Sequence, residues 1–260
     1  MGPVSLIHPV RLFVSDLDGT VLPLGGGDGA RRFADWWQAL PPSVRPLICY
    51  NSGRLCRDVR ATAARAGLPP ADYVIGGVGT SLVGADGRRL PGFQRRFRDG
   101  WDVAAVRAVM ARFAGVEPQP ARFQGAYKSS WFLRRAEPGR VAEISDALAA
   151  VSLRVRVIYS SGRDLDILPA EAGKGSALVW LCEQLGFSAH EVVVAGDTEN
   201  DLTMFQVPGV RAIAVANALP GLLSRLDGCQ VHLAGAPDAD GVIEGLMRFG
   251  LNPAGGRSSV

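Results

Sequence analysis

The chain is poor in the residues that staple small exported proteins or hold structural metals. Its 260 residues include four cysteines, Cys49, Cys56, Cys182 and Cys229. They show no CxxC spacing and no framework pattern, which argues against a zinc site or a disulfide scaffold and predicts reduced, buried thiols. The three histidines, His8, His190 and His232, are scattered without metal-ligand spacing and read as structural or surface residues. Neither sign of charge dominates: 28 basic and 25 acidic residues are interspersed, for a formal net charge of +3. Only Arg95-Arg96-Phe97-Arg98 is locally basic; it reads as a solvated face, so no nucleic-acid partner is expected. No apolar run approaches bilayer length, and Met1 to Pro9 lacks a charged start followed by an apolar core. A soluble, cytoplasmic protein with no membrane partner is the expectation. No internal repeat is visible. With 47% hydrophobic residues, the chain can bury one large core or two unequal ones.

Val10 to Ser15 is a near-continuous apolar run, as in a central strand buried on both faces of a parallel sheet. It runs into Asp16-Leu17-Asp18-Gly19-Thr20. Strand alternation puts both carboxylates on one side, and Gly19 lets the chain turn away. Two like charges so close call for a cation or a proton between them; an ordinary Asp-Gly turn is the plainer alternative. Gly25-Gly26-Gly27 and Asp28, as N-cap, lead into a helix carrying Phe33, Trp36, Trp37 and Leu40, which Pro41-Pro42 stops. A strand, Leu47 to Tyr50, ends in Asn51-Ser52-Gly53-Arg54, and the helix Arg57 to Ala66 closes on Gly67. A third strand, Tyr73 to Ile75, opens on Gly76-Gly77-Val78-Gly79-Thr80, a loop able to approach a phosphate or sugar closely, or simply a loop.

From Ser81 the pattern changes. A hairpin turn at Ala85-Asp86-Gly87-Arg88 precedes a helix (Val103 to Phe113), a strand (Tyr127 to Leu133), a helix (Arg140 to Ala150) and two strands (Val155 to Tyr159 and Leu165 to Leu168). This reads as an inserted α+β domain, residues 82–168, within an α/β core formed by residues 1–81 and 169–260. Past Pro169 come a helix from Lys174 to Leu185 ended by Gly186, and the strand Glu191 to Ala195, which exits into Gly196-Asp197-Thr198-Glu199-Asn200-Asp201. A helix with Leu202, Met204 and Phe205, the strand Arg211 to Val215, the loop Asn217-Ala218 and a last amphipathic helix near Gly221 to Leu226 complete the core. The small, polar stretch from Asn252 to Val260 reads as a disordered tail.

In open parallel sheets, ligands bind outside the carboxyl ends of the strands. That rule brings Asp16, Asp18, Ser52, Lys174, Asp197 and Asp201 to one rim, a set suited to phosphate-ester hydrolysis. A phosphomonoester dianion must be neutralised before an anionic nucleophile approaches, the task of a Mg2+ held by carboxylates, with Asp16 and Asp197 the preferred ligands. Asp16 is the expected nucleophile. Ser52, backbone N–H groups and Lys174 would clamp the phosphoryl group, while Asp18 protonates the leaving alcohol and later activates water.

These motifs resemble those of the haloacid dehalogenase-like (HAD) phosphatases. Asp16-Leu17-Asp18-Gly19-Thr20 matches DxDGT, Ser52-Gly53-Arg54 the polar end of the second strand, Lys174 the helix-starting lysine, and Gly196 to Asp201 the GDxxND loop. The resemblance implies a doubly wound, Rossmann-like core with an inserted type-II (C2B-like) cap, and Mg2+ as cofactor. It implies that Asp18 lends its backbone carbonyl to the metal and that Asp201 supports the metal directly or through Asp197. Gly77-Val78-Gly79-Thr80, Lys128-Ser129-Ser130, Asp166-Ile167-Leu168-Pro169, Ala172-Gly173-Lys174-Gly175, Val215-Ala216-Asn217-Ala218 and Gly241 to Leu246 look most like the sucrose-phosphate phosphatase group. A sugar or glycosyl phosphate is therefore the implied substrate, with Lys128, Ser129 and Asp166 its sugar-binding residues in the cap. Gly53, Arg54, Gly79, Thr80, Asn200 and Asn217 complete the substrate-binding set on the rim loops. The chain departs from the pattern at Ser81-Leu82, where the family commonly has a glutamate after the GxGT loop. A sugar phosphomutase and a non-catalytic sugar-phosphate-binding subunit of a synthase complex are the alternatives. Nothing in the sequence demands more than a monomer.

Overall fold

The computed structural model describes residues 8–137 and 139–253. Most of the expected tail, past Pro253, and the segment before His8 lie outside the described residues. The first part of the chain forms β1 (Leu12–Ser15), α1 (Gly29–Ala39), β2 (Leu47–Asn51), α2 (Cys56–Arg65), β3 (Tyr73–Gly76) and β4 (Ser81–Gly84). Next come α3 (Val103–Met110), β5 (Glu117–Pro118), β6 (Ser129–Phe132), α4 (Arg140–Ala149), β7 (Val155–Ser160) and β8 (Asp164–Pro169). The last part holds α5 (Lys174–Leu185), β9 (Val192–Gly196), α6 (Leu202–Phe205), β10 (Arg211–Ala214), α7 (Pro220–Leu223), β11 (Val231–Leu233) and α8 (Asp238–Arg248).

Seven strands form one sheet in the order β11-β10-β9-β1-β2-β3-β4, parallel except for the edge pair β3–β4. Alternation along β1 shows why it is central. Phe13 packs with Phe33 and Trp37 of α1 and Val242 of α8 on one face, while Leu12 and Val14 pack with Ala177, Leu178 and Leu181 of α5 on the other. All three strand residues are fully buried, and each such burial contributes roughly 1.5–3 kcal/mol. Covering both faces with helices leaves the two ends of the sheet open, and the carboxyl end carries the polar loops.

A second, antiparallel sheet, in the order β5-β6-β8-β7, is built from residues between Glu117 and Pro169. One face carries Trp131, Leu165 and Ile167, packed under Val106 and Met110 of α3 and Ile144 and Leu148 of α4. The alternate residues Ser130, Asp164 and Asp166 point the other way, as period-2 geometry requires. Residue 82, the expected start of the insertion, falls inside β4, which pairs with β3 through Leu82↔Ile75. Phe93 and Phe97 likewise pack in the core of the large sheet, so hydrophobic burial keeps the chain with that sheet beyond the hairpin.

Two further expectations change. Asp28 occupies the N-cap position of α1 but makes no side-chain capping bond. The last helix is α8; the helix expected near Gly221–Leu226 shrinks to the single turn α7. Gly241 and Gly245 hide α8 from a propensity reading. A Cβ at Gly245 would lie 2.5 Å from Ile213 Cγ1, and one at Gly241 would lie 2.2 Å from the Ala236 carbonyl oxygen. Gly245 lets the helix dock closely on β10, and Gly241 lets it pass the loop at Ala236.

Candidate functional site

The first loop is fixed by the neighbouring strand end. The Asp16 amide donates to the Ala195 carbonyl at 2.9 Å, and Thr20 Oγ1 donates to Asp197 Oδ1 at 2.8 Å. Gly19 has φ of +81°, and a Cβ there would lie 2.4 Å from Asp197 Oδ2. Its missing side chain is the space that the Asp197 carboxylate fills. Asp201 Oδ2 accepts the amides of Asp197 at 3.0 Å and Thr198 at 3.1 Å, folding the loop after β9 into a short turn. Lys174, the first residue of α5 and 0% exposed, donates to Asp16 Oδ1 at 2.7 Å and to Asp201 Oδ1 at 2.6 Å. One buried ammonium thus ties the first loop to the loop after β9.

Oxygen atoms of Asp16, Asp197 and Asp201 all lie within 4.8 Å of one another. Burial pushes the Asp16 carboxyl up to about 7 against the pull of Lys174. Burial, reinforced by Asp16 and Asp201, pushes Asp197 up to about 9. Burial alone would lower the Lys174 ammonium, but Asp16 and Asp201 outweigh it and its pKa is raised. Three buried carboxylates around one ammonium are short of positive charge, and an oxygen-only donor set fits a hard divalent cation.

Asp18 and Ser52 open on a cavity of about 460 Å3 that Asp16, Asp197 and Asn200 share with the second sheet. Arg54 grips Asp18 with two parallel bonds, Nε to Oδ2 at 2.6 Å and Nη2 to Oδ1 at 2.7 Å, the strong bidentate geometry. Ser52 Oγ accepts the Arg54 amide at 3.2 Å, which leaves its own proton to donate. On the opposite wall Lys128 Nζ and Ser130 Oγ each donate to Asp166 Oδ1 at 2.6 Å, and Lys128 also contacts Ser130. Farther out, Arg163 grips Asp164, and Gln119 Nε2 donates to the same carboxylate at 2.9 Å.

A family model for sucrose-6F-phosphate phosphohydrolase matches residues 9–250. The chain belongs to that family. It is 47% identical to the mannosylfructose-phosphate phosphatase of Agrobacterium fabrum over 95% of this chain and the full length of that one. It is 29% identical to sucrose-phosphatase 1 of Nicotiana tabacum over 93% of this chain and 60% of the relative. The X-ray structure of the sucrose-phosphatase of Synechocystis, in complex with sucrose and phosphate, superposes with a TM-score of 0.84 at 26% identity, over 93% of this chain and 98% of the other. A haloacid dehalogenase-like hydrolase from Bacillus subtilis shares the fold at a TM-score of 0.63 and 14% identity, over 93% and 92%. The fold is the HAD fold, and the family member is a sugar-phosphate phosphatase.

Of the residues singled out in the sequence, Asp16, Asp18, Ser52, Gly53, Arg54, Lys128, Asp166, Asp197 and Asn200 line the one cavity, with Lys174 and Asp201 buried directly beneath Asp16. Ser129 does not join them. Its Oγ accepts Trp131 Nε1 at 2.9 Å on the α3–α4 face of β6, because alternation from Lys128 brings Ser130 to the cavity side. Gly79 and Thr80 serve the loop instead of the cavity: Thr80 Oγ1 turns back to the Gly77 carbonyl at 2.9 Å. Gly79, at φ +84°, packs where a Cβ would lie 2.1 Å from the Gly173 carbonyl oxygen, just ahead of Lys174. Asn217 is a brace; its Nδ2 donates to the Gly19 carbonyl and its Oδ1 accepts the Asp238 amide, both at 2.7 Å. Sequence reasoning missed Ser130, which period-2 alternation from Lys128 could have found, and the Arg54–Asp18 pair, which no sequence periodicity reveals.

Proposed function

We propose that the protein is a Mg2+-dependent phosphomonoester hydrolase whose substrate is the phosphate of a fructose-containing disaccharide, of the mannosylfructose-phosphate or sucrose-6F-phosphate kind. One observation carries the reading: the Asp16, Asp197 and Asp201 carboxylates cluster around Lys174 beneath a cavity whose far wall carries Lys128 and Asp166, with Ser130 bonded to Asp166 behind them. The names of the relatives support the sugar. Residues from about Gly100 to Leu168 act as the cap, and the flanking segments as the catalytic core. The free cysteines fit a cytoplasmic setting, and the chain works as a monomer.

Asp16, Asp197 and Asp201 would hold Mg2+ with the Asp18 backbone carbonyl, Asp201 also through its grip on the loop after β9; the bound ion neutralises phosphate charge and polarises the phosphoryl oxygens. Lys174 fixes Asp16 Oδ1, so Oδ2 attacks phosphorus; a P–O bond to Asp16 forms as the bond to the sugar oxygen breaks. Ser52 donates to a non-bridging oxygen, with the Gly53 amide beside it. Asp18 gives its proton to the leaving sugar oxygen. The phosphate dianion competes for the Arg54 guanidinium, which frees Asp18 for this task. Asp18, now a carboxylate, takes a proton from the water that attacks the aspartyl-phosphate, releasing phosphate and restoring Asp16. Lys128 and Asp166 bind hydroxyls of the sugar, and Asn200 lies at the edge of the phosphate site.

The test is phosphate release from mannosylfructose phosphate, sucrose-6F-phosphate, fructose 6-phosphate and an aryl phosphate, with and without Mg2+, for the wild type and Asp16→Asn. Release from a disaccharide phosphate that requires both Mg2+ and Asp16 is expected. Undiminished activity in Asp16→Asn would end the mechanism, and a preference for fructose 6-phosphate would end the substrate assignment.

A further inference from the structure

A second concavity, of about 240 Å3, lies where the hairpin after β4 meets Tyr127, one residue before Lys128. Arg89, Arg95 and Arg98 line it over the apolar and aromatic surface of Leu82, Phe93 and Tyr127. Among the described residues no carboxylate lines this cavity. Arg88, in the same hairpin, pairs with Asp86 instead of turning to the cavity. Arg96, inside the basic run, is occupied too; it donates to the Glu171 carbonyl at 2.9 Å and lies over the rings of Phe93 and Phe97.

Three like charges around one concavity repel, and an anion relieves that repulsion. Guanidinium forks match phosphate oxygens in pairs, which a single ammonium does not do. Arg89 is tied to the hairpin, its Nη1 donating to Gln94 Oε1 at 3.3 Å while Gln94 Nε2 donates to the Thr80 carbonyl at 3.0 Å. The volume admits a phosphate or diphosphate with a short organic body and is too small for a folded partner. We propose that this cavity binds a small phosphorylated anion, apart from the catalytic cavity. The ligand would bridge two parts of the molecule. Arg89, Arg95 and Arg98 belong to the segment packed on the large sheet, whereas Tyr127 leads into β6 and the Lys128 network.

The test is calorimetric titration of the Mg2+-loaded protein with methylenediphosphonate, a bis-anion that is not hydrolysed. The wild type is expected to show two binding events, one from the catalytic cavity. Arg89→Gln/Arg95→Gln/Arg98→Gln should lose one event and keep the other, with an unchanged kcat on an aryl phosphate. Arg98→Gln alone should weaken the lost event by about tenfold or more, and Arg98→Lys by less, because charge survives while the fork does not. The same number of events in wild type and triple variant would overturn the proposal. So would binding of a polyglutamate peptide, abolished in the triple variant, without a second methylenediphosphonate event; that result would make the patch an acidic-protein docking face. Because aryl phosphatase activity is read separately, loss of this site and failure of the phosphatase mechanism are distinguishable.

Discussion

Replacing Lys174 by Met removes one charge at nearly constant volume from the most buried part of the site. Asp16 then loses the only side-chain hydrogen bond its carboxylate makes among the described residues. Asp201 loses one oxygen's partner but keeps the amides of Asp197 and Thr198. Each charge-assisted bond is worth roughly 1.5–3 kcal/mol, and breaking a buried pair by removing one member costs about 3–5 kcal/mol. The larger figure includes the charge left behind, so it sets the expectation, and most of the cost falls on Asp16. For a chain of this length the corresponding drop in thermal midpoint is roughly 6–20 °C. The assay is thermal unfolding in EDTA, followed by near-ultraviolet circular dichroism. A double-mutant cycle with Asp201→Asn isolates the cause: removing one carboxylate should return part of the loss, so Lys174→Met/Asp201→Asn should lose less than the two single variants added together. Additive effects, or a loss below about 1 kcal/mol for Lys174→Met, would refute the view that this ammonium holds the two loops together by charge.

On the proposed mechanism, Arg54→Gln should lower kcat on an aryl phosphate by about tenfold or more, by removing the guanidinium that the phosphate dianion draws away from Asp18. Arg54 and Asp18 are 37% and 27% exposed, so the melting midpoint should move by less than the equivalent of about 1 kcal/mol; a large stability loss with normal kcat would reverse the assignment. Gly79→Ala forces a Cβ against the Gly173 carbonyl at a positive φ, so a destabilisation of about 1–3 kcal/mol with reduced kcat is expected from melting and steady-state kinetics. Mg2+ at a hundredfold excess over its dissociation constant should stabilise the wild type by about 2.7 kcal/mol; Asp197→Asn should abolish that increment, and a midpoint shift that survives in the variant would place the ion elsewhere.

How much of this was legible in the sequence depends on how far apart the interacting residues lie. Asp16, Asp18, Ser52 and Asp197 each end a strand of a parallel sheet, and the carboxyl-end rule alone brings them together. Lys174 opens a helix, and only the family resemblance marked it out from an ordinary solvated helix lysine. The Arg54–Asp18 pair was not legible, because a contact across 36 positions between two loops depends on side-chain direction. Ser129 in place of Ser130 is an error of one register step, and in a strand one step exchanges the two faces. Gly79, Thr80 and Asn217 were read by motif as ligand contacts, whereas the fold uses them to hold Lys174 and the first loop in place. Helix α8 was missed because the glycines that lower its propensity are the ones that let it pack.

The two walls of the cavity are charged very differently. Lys128 balances Asp166, Arg163 balances Asp164 and Arg54 balances Asp18, while Arg122, over the Phe123 ring, adds a positive charge to the same walls. Beneath them, the carboxylates of Asp16, Asp197 and Asp201 meet a single ammonium, Lys174. A phosphate dianion approaching this floor with the carboxylates ionised meets the same sign of charge at contact distance, and burial strengthens the repulsion. Protonating the floor would relieve the repulsion but would also remove the nucleophile, since Asp16 must be ionised to attack. On the proposed mechanism the floor would accept a phosphate only after a cation had taken the place of the proton, so metal first and sugar phosphate second is the order expected. On that mechanism, walls whose charges are mostly paired, above a floor that is negative until a cation binds, would make the sugar's hydroxyls a matter of hydrogen-bond fit and the phosphate a matter of charge.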